Sequence, residues 1–477
     1  MIHYWIDPAF GHSTTLIAST IEQLLEINGW KSQLIDSSED AQIRYGPSTG
    51  GPGCLPCAGL QAWPPLVLDA PCWFDGLVVP SRAVVKMGDQ SEAIDWILAS
   101  FFFLSGNVER QPDCIEKPGI PGPGLSKWEL DKVPTVSLLA DRIGAFLLNL
   151  GFRPGQPRWP EGKTWAVCLS HDCDRPFRFR TMGFLRDSIA AGSSLRRRAF
   201  SLAKAAYAAC HHWHLDPYCE SWKNWLEFER AIGVHGVYFI GTWGTTDPQS
   251  GPYDLVYRCS DPGIMGLAAQ CREFGAELGL HSGIEAWAHP GRFAQEVDRF
   301  RTYFKVAPEG FRAHYWSLRP DDPEESMASA CTQTSFTYDS SLGMNQSPGF
   351  RRGIAYPFRP FSAKTGSYTG LVELPPTLMD GALFLSGKNS AQRRANLLSL
   401  SSMVRNTGGL MMLDWHSDSL WSSYMGNMTS DLLPILTEFA SDSHCWFATA
   451  GEISEWCRVK RWQASALGFG PSGNGEH

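Results

Sequence analysis

The stretch Trp165-Ala166-Val167-Cys168-Leu169-Ser170-His171-Asp172-Cys173-Asp174 indicates the fold of this chain. An apolar run ends abruptly in a histidine and two aspartates, as in a buried parallel strand that presents polar groups at its carboxyl end. Because side chains alternate along a strand, Asp172 and Asp174 point to one side. The two carboxylates repel each other unless a metal ion binds one and the other takes a proton. The alternative is that both are solvated in a turn.

The composition is that of an ordinary globular chain of 477 residues, 43% hydrophobic and 19% charged. The 41 basic and 49 acidic residues give a net charge of −8, which argues against nucleic acid as a partner. The longest apolar run, 94–104, is too short to span a bilayer. Scattered cysteines and the absence of a basic-then-apolar leader predict a cytoplasmic protein with reduced thiols.

From residue 165 onward, strand-like runs alternate with helical patterns. The predicted strands are 165–169, 236–240, 277–280, 310–315, 336–338, 371–374, 409–413 and 445–448. The predicted helices are 220–232, 262–275, 290–304, 324–333, 391–407 and 430–441. Repeated β-α alternation over roughly 300 residues favours a parallel α/β fold of the TIM-barrel type.

Residues 1–150 differ from the rest because they carry no motif with evident chemistry. Helical patterns cover 15–28, 90–104 and 134–150, with short strand-like runs between them. We therefore expect an α/β accessory domain over 1–150, a (β/α) barrel over 151–462 and a disordered tail over 463–477.

Polar side chains also follow other predicted strands. His281 ends one of them, and Glu285 would share its face if a helical turn begins there. An imidazole and a carboxylate at that spacing can share a metal ion, although a surface ion pair has the same pattern. Arg312 and His314 lie on one side of the strand 310–315. An arginine there orients an anion or forms a structural salt bridge.

Two aspartates are candidate partners for a histidine at another strand end. Asp414 and His416 follow the strand 409–413 and lie two residues apart, so both should face the barrel interior. Asp380 lies just beyond the preceding strand. A histidine beside a carboxylate is suited to proton transfer near neutral pH. We therefore expect Asp414 or Asp380 within hydrogen-bonding reach of His416.

Taken together, these motifs resemble those of the polysaccharide deacetylase superfamily, the NodB-like metal-dependent carbohydrate esterases, in a branch with an H-D-x-D first motif. The resemblance covers residues 165 to about 460 and rests on the segments 170–174, 279–282, 310–315, 338–343, 356–361 and 415–416. It implies a distorted (β/α) barrel of the TIM type, in agreement with the alternation of strands and helices.

The resemblance also implies roles for single residues. Asp172 resembles the general base that deprotonates water, and Arg312 the arginine that orients this base. Asp174 and His281 resemble metal ligands. His416 resembles the general acid that protonates the leaving amine. The implied cofactor is one divalent metal ion: zinc, or alternatively manganese, cobalt or nickel.

The chain departs from the family at the position of the second metal-binding histidine, where it has Glu285. Glu285 would complete a ligand set with Asp174 and His281, and two carboxylates would favour harder ions such as manganese. Alternatively, His289 or His171 contributes, or the site binds no metal.

The leading hypothesis is a metal-dependent hydrolase that removes an N-acyl group from an amino sugar or a sugar-containing precursor, with Asp172 as base and His416 as acid. One alternative is a hydrolase of a non-sugar C–N bond, such as that of a cyclic ureide or imide. Another is a non-catalytic carbohydrate-binding protein with the same fold. The expected partner is a saccharide or another small molecule.

Overall fold

The computed structural model describes residues 1–47, 51–63, 71–87, 91–107, 109, 129–180, 199, 202, 203, 206, 213–244, 254–287, 289, 291–319, 322–421, 425 and 428–462. The predicted tail, 463–477, lies outside these residues. Within the described ranges, none of the helices has the length and apolar character needed to cross a membrane.

Within residues 1–150, the described part of the chain contains short strands and three α-helices. The described strands are β1 (Ile2–Ile6), β2 (Ser32–Leu34), β3 (Ile43–Tyr45), β4 (Pro71–Phe74), β5 (Leu77–Pro80), β6 (Val84–Met87) and β7 (Ser91–Ile94). β1 lies between β2 and β3 in a parallel sheet, whereas β4 pairs with β5 and β6 with β7 in antiparallel hairpins. The helices, which pack on one another, are α1 (Thr14–Ile27), α2 (Trp96–Leu104) and α3 (Thr135–Asn149).

The helix predicted over 90–104 begins only at Trp96, so its first turns were predicted wrongly. Residues 91–94 form β7 and pair with β6 instead. Asp95 marks the change, because its side chain accepts hydrogen bonds from the amides of Ile97 and Leu98 and so caps the helix.

In the remainder of the chain, the described residues form a nine-stranded, curled sheet and one hairpin. Its strands are β8 (Trp165–Asp172), β9 (Val237–Gly241), β10 (Glu277–Ser282), β11 (Gly310–Ala313), β12 (Tyr338–Asp339), β13 (Phe361–Ser362), β14 (Ser367–Tyr368), β15 (Val372–Glu373), β16 (Pro376–Met379), β17 (Leu410–Asp414) and β18 (Cys445–Phe447). The hydrogen-bonded order is β15-β12-β11-β10-β9-β8-β17-β16, with β18 also beside β8, and β13 pairs with β14 in the hairpin. The pairings in the large sheet are parallel, as predicted for a barrel of this class.

Helices connect these strands or, in the case of α11, follow the last of them: α4 (Pro217–Ile232), α5 (Pro262–Glu273), α6 (Arg292–Phe304), α7 (Pro323–Gln333), α8 (Asp380–Ser386), α9 (Ser390–Asn406), α10 (Met428–Ser441) and α11 (Ala450–Glu455). Three of them begin with the pair Asp-Pro, at Asp216, Asp261 and Asp322. In each pair the aspartate accepts a main-chain N–H, while the proline has the backbone angle that the first helical turn requires.

All eight residues of β8 are buried, which explains the continuous apolar run that marks it in the sequence. Contacts also join the barrel to the first 150 residues. Arg359 Nη2 lies 2.7 Å from Glu26 Oε1, and Arg352 Nε lies 2.6 Å from Glu109 Oε1. Buried apolar residues from both parts form one core. The domain limit at residue 150 stays a prediction.

Candidate metal centre and active site

The carboxyl ends of the central strands bring the polar residues together. Asp172 ends β8, and Asp174 follows it two residues later. His281 in β10 lies beside Arg312 of β11 in the parallel ladder. His416 follows β17, which pairs with β8. Carboxyl ends of parallel strands lie at one edge of the sheet, so these side chains share one end of the barrel.

Three of the side chains at this end form a group suited to a metal ion. One ligand atom from each of Asp174, His281 and His314 lies within 4.8 Å of the other two. His281 Nε2 is 3.1 Å from Asp174 Oδ1, and His314 Nε2 is 3.3 Å from Asp174 Oδ2. His281 Nε2 and Asp174 Oδ1 are buried, yet neither makes a contact of hydrogen-bond geometry with a described residue. Such atoms, facing one another, fit a cation that binds them all.

The neighbouring strand fixes the ring of His281. Its Nδ1 lies 3.0 Å from the main-chain carbonyl oxygen of Arg312. Because a carbonyl oxygen can only accept, Nδ1 carries a proton, so Nε2 is the nitrogen that is available to a metal ion once it is deprotonated. Metal-binding histidines are commonly oriented in this way.

Burial and charge act in opposite directions on this group. Burial lowers the pKa of His281, but the charges of Asp172 and Asp174 outweigh it and raise that pKa to about 9. Burial raises the pKa of Asp174, but the imidazoles of His314, His281 and His416 hold it well below its ordinary value. The carboxylates therefore create a negative potential that protons or a divalent cation can neutralise, and a cation that binds there releases protons.

Glu285, predicted as the third ligand, is not in this group, and His314 stands in its place. The prediction assumed that a helical turn begins at His281 and puts both side chains on one face. Instead, β10 continues through Ser282, and Glu285 lies in the turn that follows. The four-residue spacing therefore does not bring the two side chains onto one helix face.

The other two alternatives, His171 and His289, also lie outside the group of ligand atoms found among the described residues. The ring of His171 faces Glu229, with Nε2 2.9 Å from Oε1. Strand alternation had placed His314 on the same side as Arg312, and this was the signal in the sequence that points to His314.

Arg312 connects aspartates from two neighbouring strands. Its Nη1 lies 2.8 Å from Asp172 Oδ1 and 3.1 Å from Asp414 Oδ1. Its Nε donates to the main-chain oxygen of Ser340 at 3.1 Å, and Nη2 donates to the hydroxyl of Ser340 at 3.0 Å. The guanidinium is fully buried, so these bonds hold Asp172 in one orientation, with Oδ2 3.6 Å from His281 Nε2.

The carboxylate that holds His416 is Asp380 and not Asp414. Nδ1 of His416 lies 2.8 Å from Asp380 Oδ1, and the main-chain N–H of His416 donates to Asp380 Oδ2 at 3.1 Å. The other ring nitrogen, Nε2, lies 3.3 Å from Asp174 Oδ2. Burial lowers the pKa of His416, but Asp380 and Asp174 outweigh it and raise that pKa well above its ordinary value.

The ladder between β16 and β17 explains why Asp380 is the partner. Met379 lies opposite Asp414 in this ladder, so the next residue, Asp380, reaches the chain just beyond Asp414. Asp414 faces Arg312 instead. Burial, together with the charge of Asp172, raises the pKa of Asp414 well above its ordinary value. If Asp414 is protonated and neutral, the positive charge of Arg312 is paired with the negative charge of Asp172.

The site opens into a cavity of about 430 Å³, a volume typical of small-molecule pockets. Asp172, Asp174, His314 and His416 line it. The other lining residues are mixed in character: Arg175, Asp254, Leu255, Val256, Tyr315, Trp316, Asn345, Met379, Asp380, Gly381 and Met425. The apolar and aromatic part of this lining was not predicted from the sequence.

Two of these residues have a strained backbone. Tyr315 and Trp316 adopt φ angles of 55° and 57°, in the left-handed region. For bulky side chains that conformation costs on the order of 1–3 kcal/mol each, and it is found mainly at functional sites. Both residues directly follow His314, and all three line the cavity. The strained turn therefore forms part of the site.

Comparison with known proteins reveals weak similarities. The chain matches no protein-family model and no curated protein. A Mycobacterium smegmatis structure described as a polysaccharide deacetylase has 18% identity, covers 65% of this chain and 93% of its own, and gives a TM-score of 0.40. The structure of PuuE allantoinase has 13% identity, covers 66% and 98%, and gives a TM-score of 0.42. A Pseudomonas aeruginosa PAO1 structure described as a polysaccharide deacetylase has 14% identity, covers 66% and 99%, and gives a TM-score of 0.41.

Proposed function

We propose that this chain is a metal-dependent hydrolase that removes an N-acyl group, such as acetyl, from an amino sugar or a sugar-containing precursor. One observation supports this most directly: the group suited to a metal ion is adjacent to a carboxylate and to an imidazole. Asp172 Oδ2 is 3.6 Å from His281 Nε2, and His416 Nε2 is 3.3 Å from Asp174 Oδ2. Hydrolysis of an amide uses a base and an acid beside a Lewis acid.

Asp174, His281 and His314 would hold the ion. Two imidazoles and one carboxylate with open positions form a ligand set of catalytic zinc sites. Imidazole ligands also suit nickel and cobalt, whereas manganese prefers more oxygen ligands than this set offers. When bound, a divalent ion polarises the acyl oxygen and acidifies water.

The residues around the ion supply the proton transfers. Asp172 takes a proton from the attacking water, and Arg312 keeps the carboxylate in the orientation that this requires. Nε2 of His416 donates a proton to the nitrogen of the leaving amine, while Asp380 holds the ring through Nδ1. Each transfer by a positioned side chain contributes roughly 10²–10⁴-fold to the rate.

An acetate-release assay tests the proposal. Protein purified without chelators is incubated with N-acetylglucosamine, its nucleotide-linked form, short N-acetylated oligosaccharides and a cyclic ureide. We expect acetate from at least one amino sugar, loss of this activity on chelation and its return with zinc. Opening of the cyclic ureide without acetate release would contradict the proposal in favour of the non-sugar hydrolase. Saccharide binding with neither metal nor turnover would favour the non-catalytic alternative.

A further inference from the structure

The peptide group between Trp415 and His416 is held from both sides. Its N–H donates to Asp380 Oδ2 at 3.1 Å, and its carbonyl oxygen lies 2.8 Å from Nδ1 of His171. The ring of His416 is bonded to the same Asp380, so the position of this peptide also sets the direction of the ring.

His171 is itself anchored on its far side. Its Nε2 lies 2.9 Å from Glu229 Oε1, and Glu229 also accepts from the hydroxyl of Tyr238 and the amide of Gly236, each at 2.8 Å. The ring packs against Tyr238 and Trp225 at centroid distances of 4.6 and 4.7 Å. It is fully buried. Two bonded nitrogens and two packed faces leave the ring a single orientation.

The chemistry of the contacts fixes the direction of the bond to Trp415. A main-chain carbonyl oxygen can only accept, so Nδ1 of His171 must be the donor. The bond lies where the main-chain ladder joins β8 to β17, because Trp415 N–H donates to Ser170 O at 2.9 Å and Ser417 N–H donates to Asp172 O at 3.0 Å. The His171 side chain therefore adds a link between these two strand ends.

His171 lies on the other side of β8 from the cavity. It directly precedes Asp172, and successive side chains of a strand point to opposite faces. It does not line the cavity, and its ring nitrogens are taken by Trp415 and Glu229. It is therefore placed to act on the site through other residues.

We propose that His171, anchored by Glu229, is a positioning residue that fixes the acid-bearing end of β17 relative to the base-bearing end of β8. Its effect on turnover rests on the proposed function, because that function makes Asp172 and His416 the base and the acid. Its effect on the peptide preceding His416 can be measured without any substrate.

Two substitutions separate the contacts of the ring. The amide nitrogen of His171→Asn lies near the place of Nδ1 and can still donate to Trp415, whereas that of His171→Gln lies near the place of Nε2 and reaches towards Glu229. We expect His171→Asn to keep kcat within a few-fold. His171→Gln should lower kcat by roughly 10²-fold, the order expected for misplacement of about 1 Å, with KM and metal content unchanged. Tyr238→Phe, which removes one donor to Glu229 but leaves the Trp415 bond, is the matched control and should behave as wild type.

Amide hydrogen exchange provides the readout that is independent of turnover. In His171→Gln, the His416 amide should exchange at least ten-fold faster, while the amides of β10 and β11 keep their protection. In His171→Asn, the His416 amide should exchange as in wild type. A His171→Gln protein with wild-type kcat and wild-type exchange of the His416 amide would overturn the proposal. Equal losses of kcat in His171→Gln and His171→Asn, with faster amide exchange across the whole protein, would also overturn it. If the wild type hydrolyses none of the substrates, the proposed function fails, and the exchange of the His416 amide still decides whether His171 positions this peptide.

Discussion

Asp380 binds His416 twice, through the ring Nδ1 at 2.8 Å and through the main-chain N–H at 3.1 Å. One carboxylate therefore fixes both the path of the chain and the direction of the imidazole. The other ring nitrogen, Nε2, faces the cavity and Asp174 Oδ2. Proton donation to the leaving nitrogen should depend on this pair.

Replacement of Asp380 tests that dependence. We expect Asp380→Asn to lower kcat by roughly 10²-fold or more, because an amide cannot accept both hydrogen bonds as the carboxylate does. The metal content should not change. Asp418→Asn is a matched control: Asp418 is also buried, but it pairs with Arg175 and should matter less. Near-normal kcat in Asp380→Asn would contradict the role given to this residue.

The third metal ligand can be identified with two alanine variants. His314→Ala should bind much less zinc than wild type, because it removes one of three ligand atoms. Glu285→Ala should keep wild-type zinc content, because Glu285 lies in the turn beyond β10. Elemental analysis of both proteins after dialysis measures this directly. Loss of zinc from Glu285→Ala, with wild-type zinc content in His314→Ala, would instead make Glu285 the third ligand.

Substitution of the general base should lower turnover without removing the metal ion. Asp172→Asn is expected to lower kcat by roughly 10²–10⁴-fold while zinc remains bound, since the side chain faces Arg312 and stands beside the ligand group. Steady-state kinetics together with metal analysis test both parts. Loss of zinc in this variant would show that Asp172 is a ligand instead.

Protonation of Glu296 should make the stability of the folded protein depend on pH. This residue is fully buried, with Oε2 accepting from the amide of Gly283 at 2.9 Å and Oε1 3.4 Å from Arg292 Nε. Burial raises its pKa to about 7 from 4.5. Between these two pH values the folded protein therefore keeps a proton on Glu296 that the unfolded chain releases. The stabilisation that this proton gives the folded state is fully present below about pH 4.5 and is lost as the pH rises through about 7.

Glu296→Gln removes this titration. Between pH 5 and 8, the free energy of unfolding of wild type should fall more than that of the variant, by up to about 3 kcal/mol. Urea unfolding at the two pH values measures the difference. An equal fall in both proteins would show that Glu296 does not titrate in this range.

The fold of the barrel could be predicted because buried parallel strands are apolar along their whole length. The run beginning at Trp165 and the run 409–413 correspond to the observed β8 and β17. β16 was missed, because its first residue, Pro376, follows another proline and indicates a break in a strand. β7 was assigned to a helix because its pairing with β6 depends on contact with another segment, which its own composition does not reveal.

Residues of the candidate site could be predicted where the sequence of a single strand end indicates which way its side chains point. Period-two alternation predicted Asp172 and Asp174 on one side with His416 facing them, and in the structure His416 Nε2 lies 3.3 Å from Asp174 Oδ2. The choice between Asp380 and Asp414 depended on the register of β16 against β17, which the sequence does not encode locally. The expectation that Glu285 shares a face with His281 depended in the same way on where β10 ends, and the strand continues through Ser282.

The most direct test is an anomalous diffraction measurement on crystals of the protein grown with zinc. We predict one strong zinc peak about 2 Å from Asp174, His281 Nε2 and His314 Nε2, with Asp172 and His416 on either side of it and not bonded to it. A peak at another location, or none at a zinc concentration well above that of the protein, would contradict the metal centre and with it the proposed hydrolase.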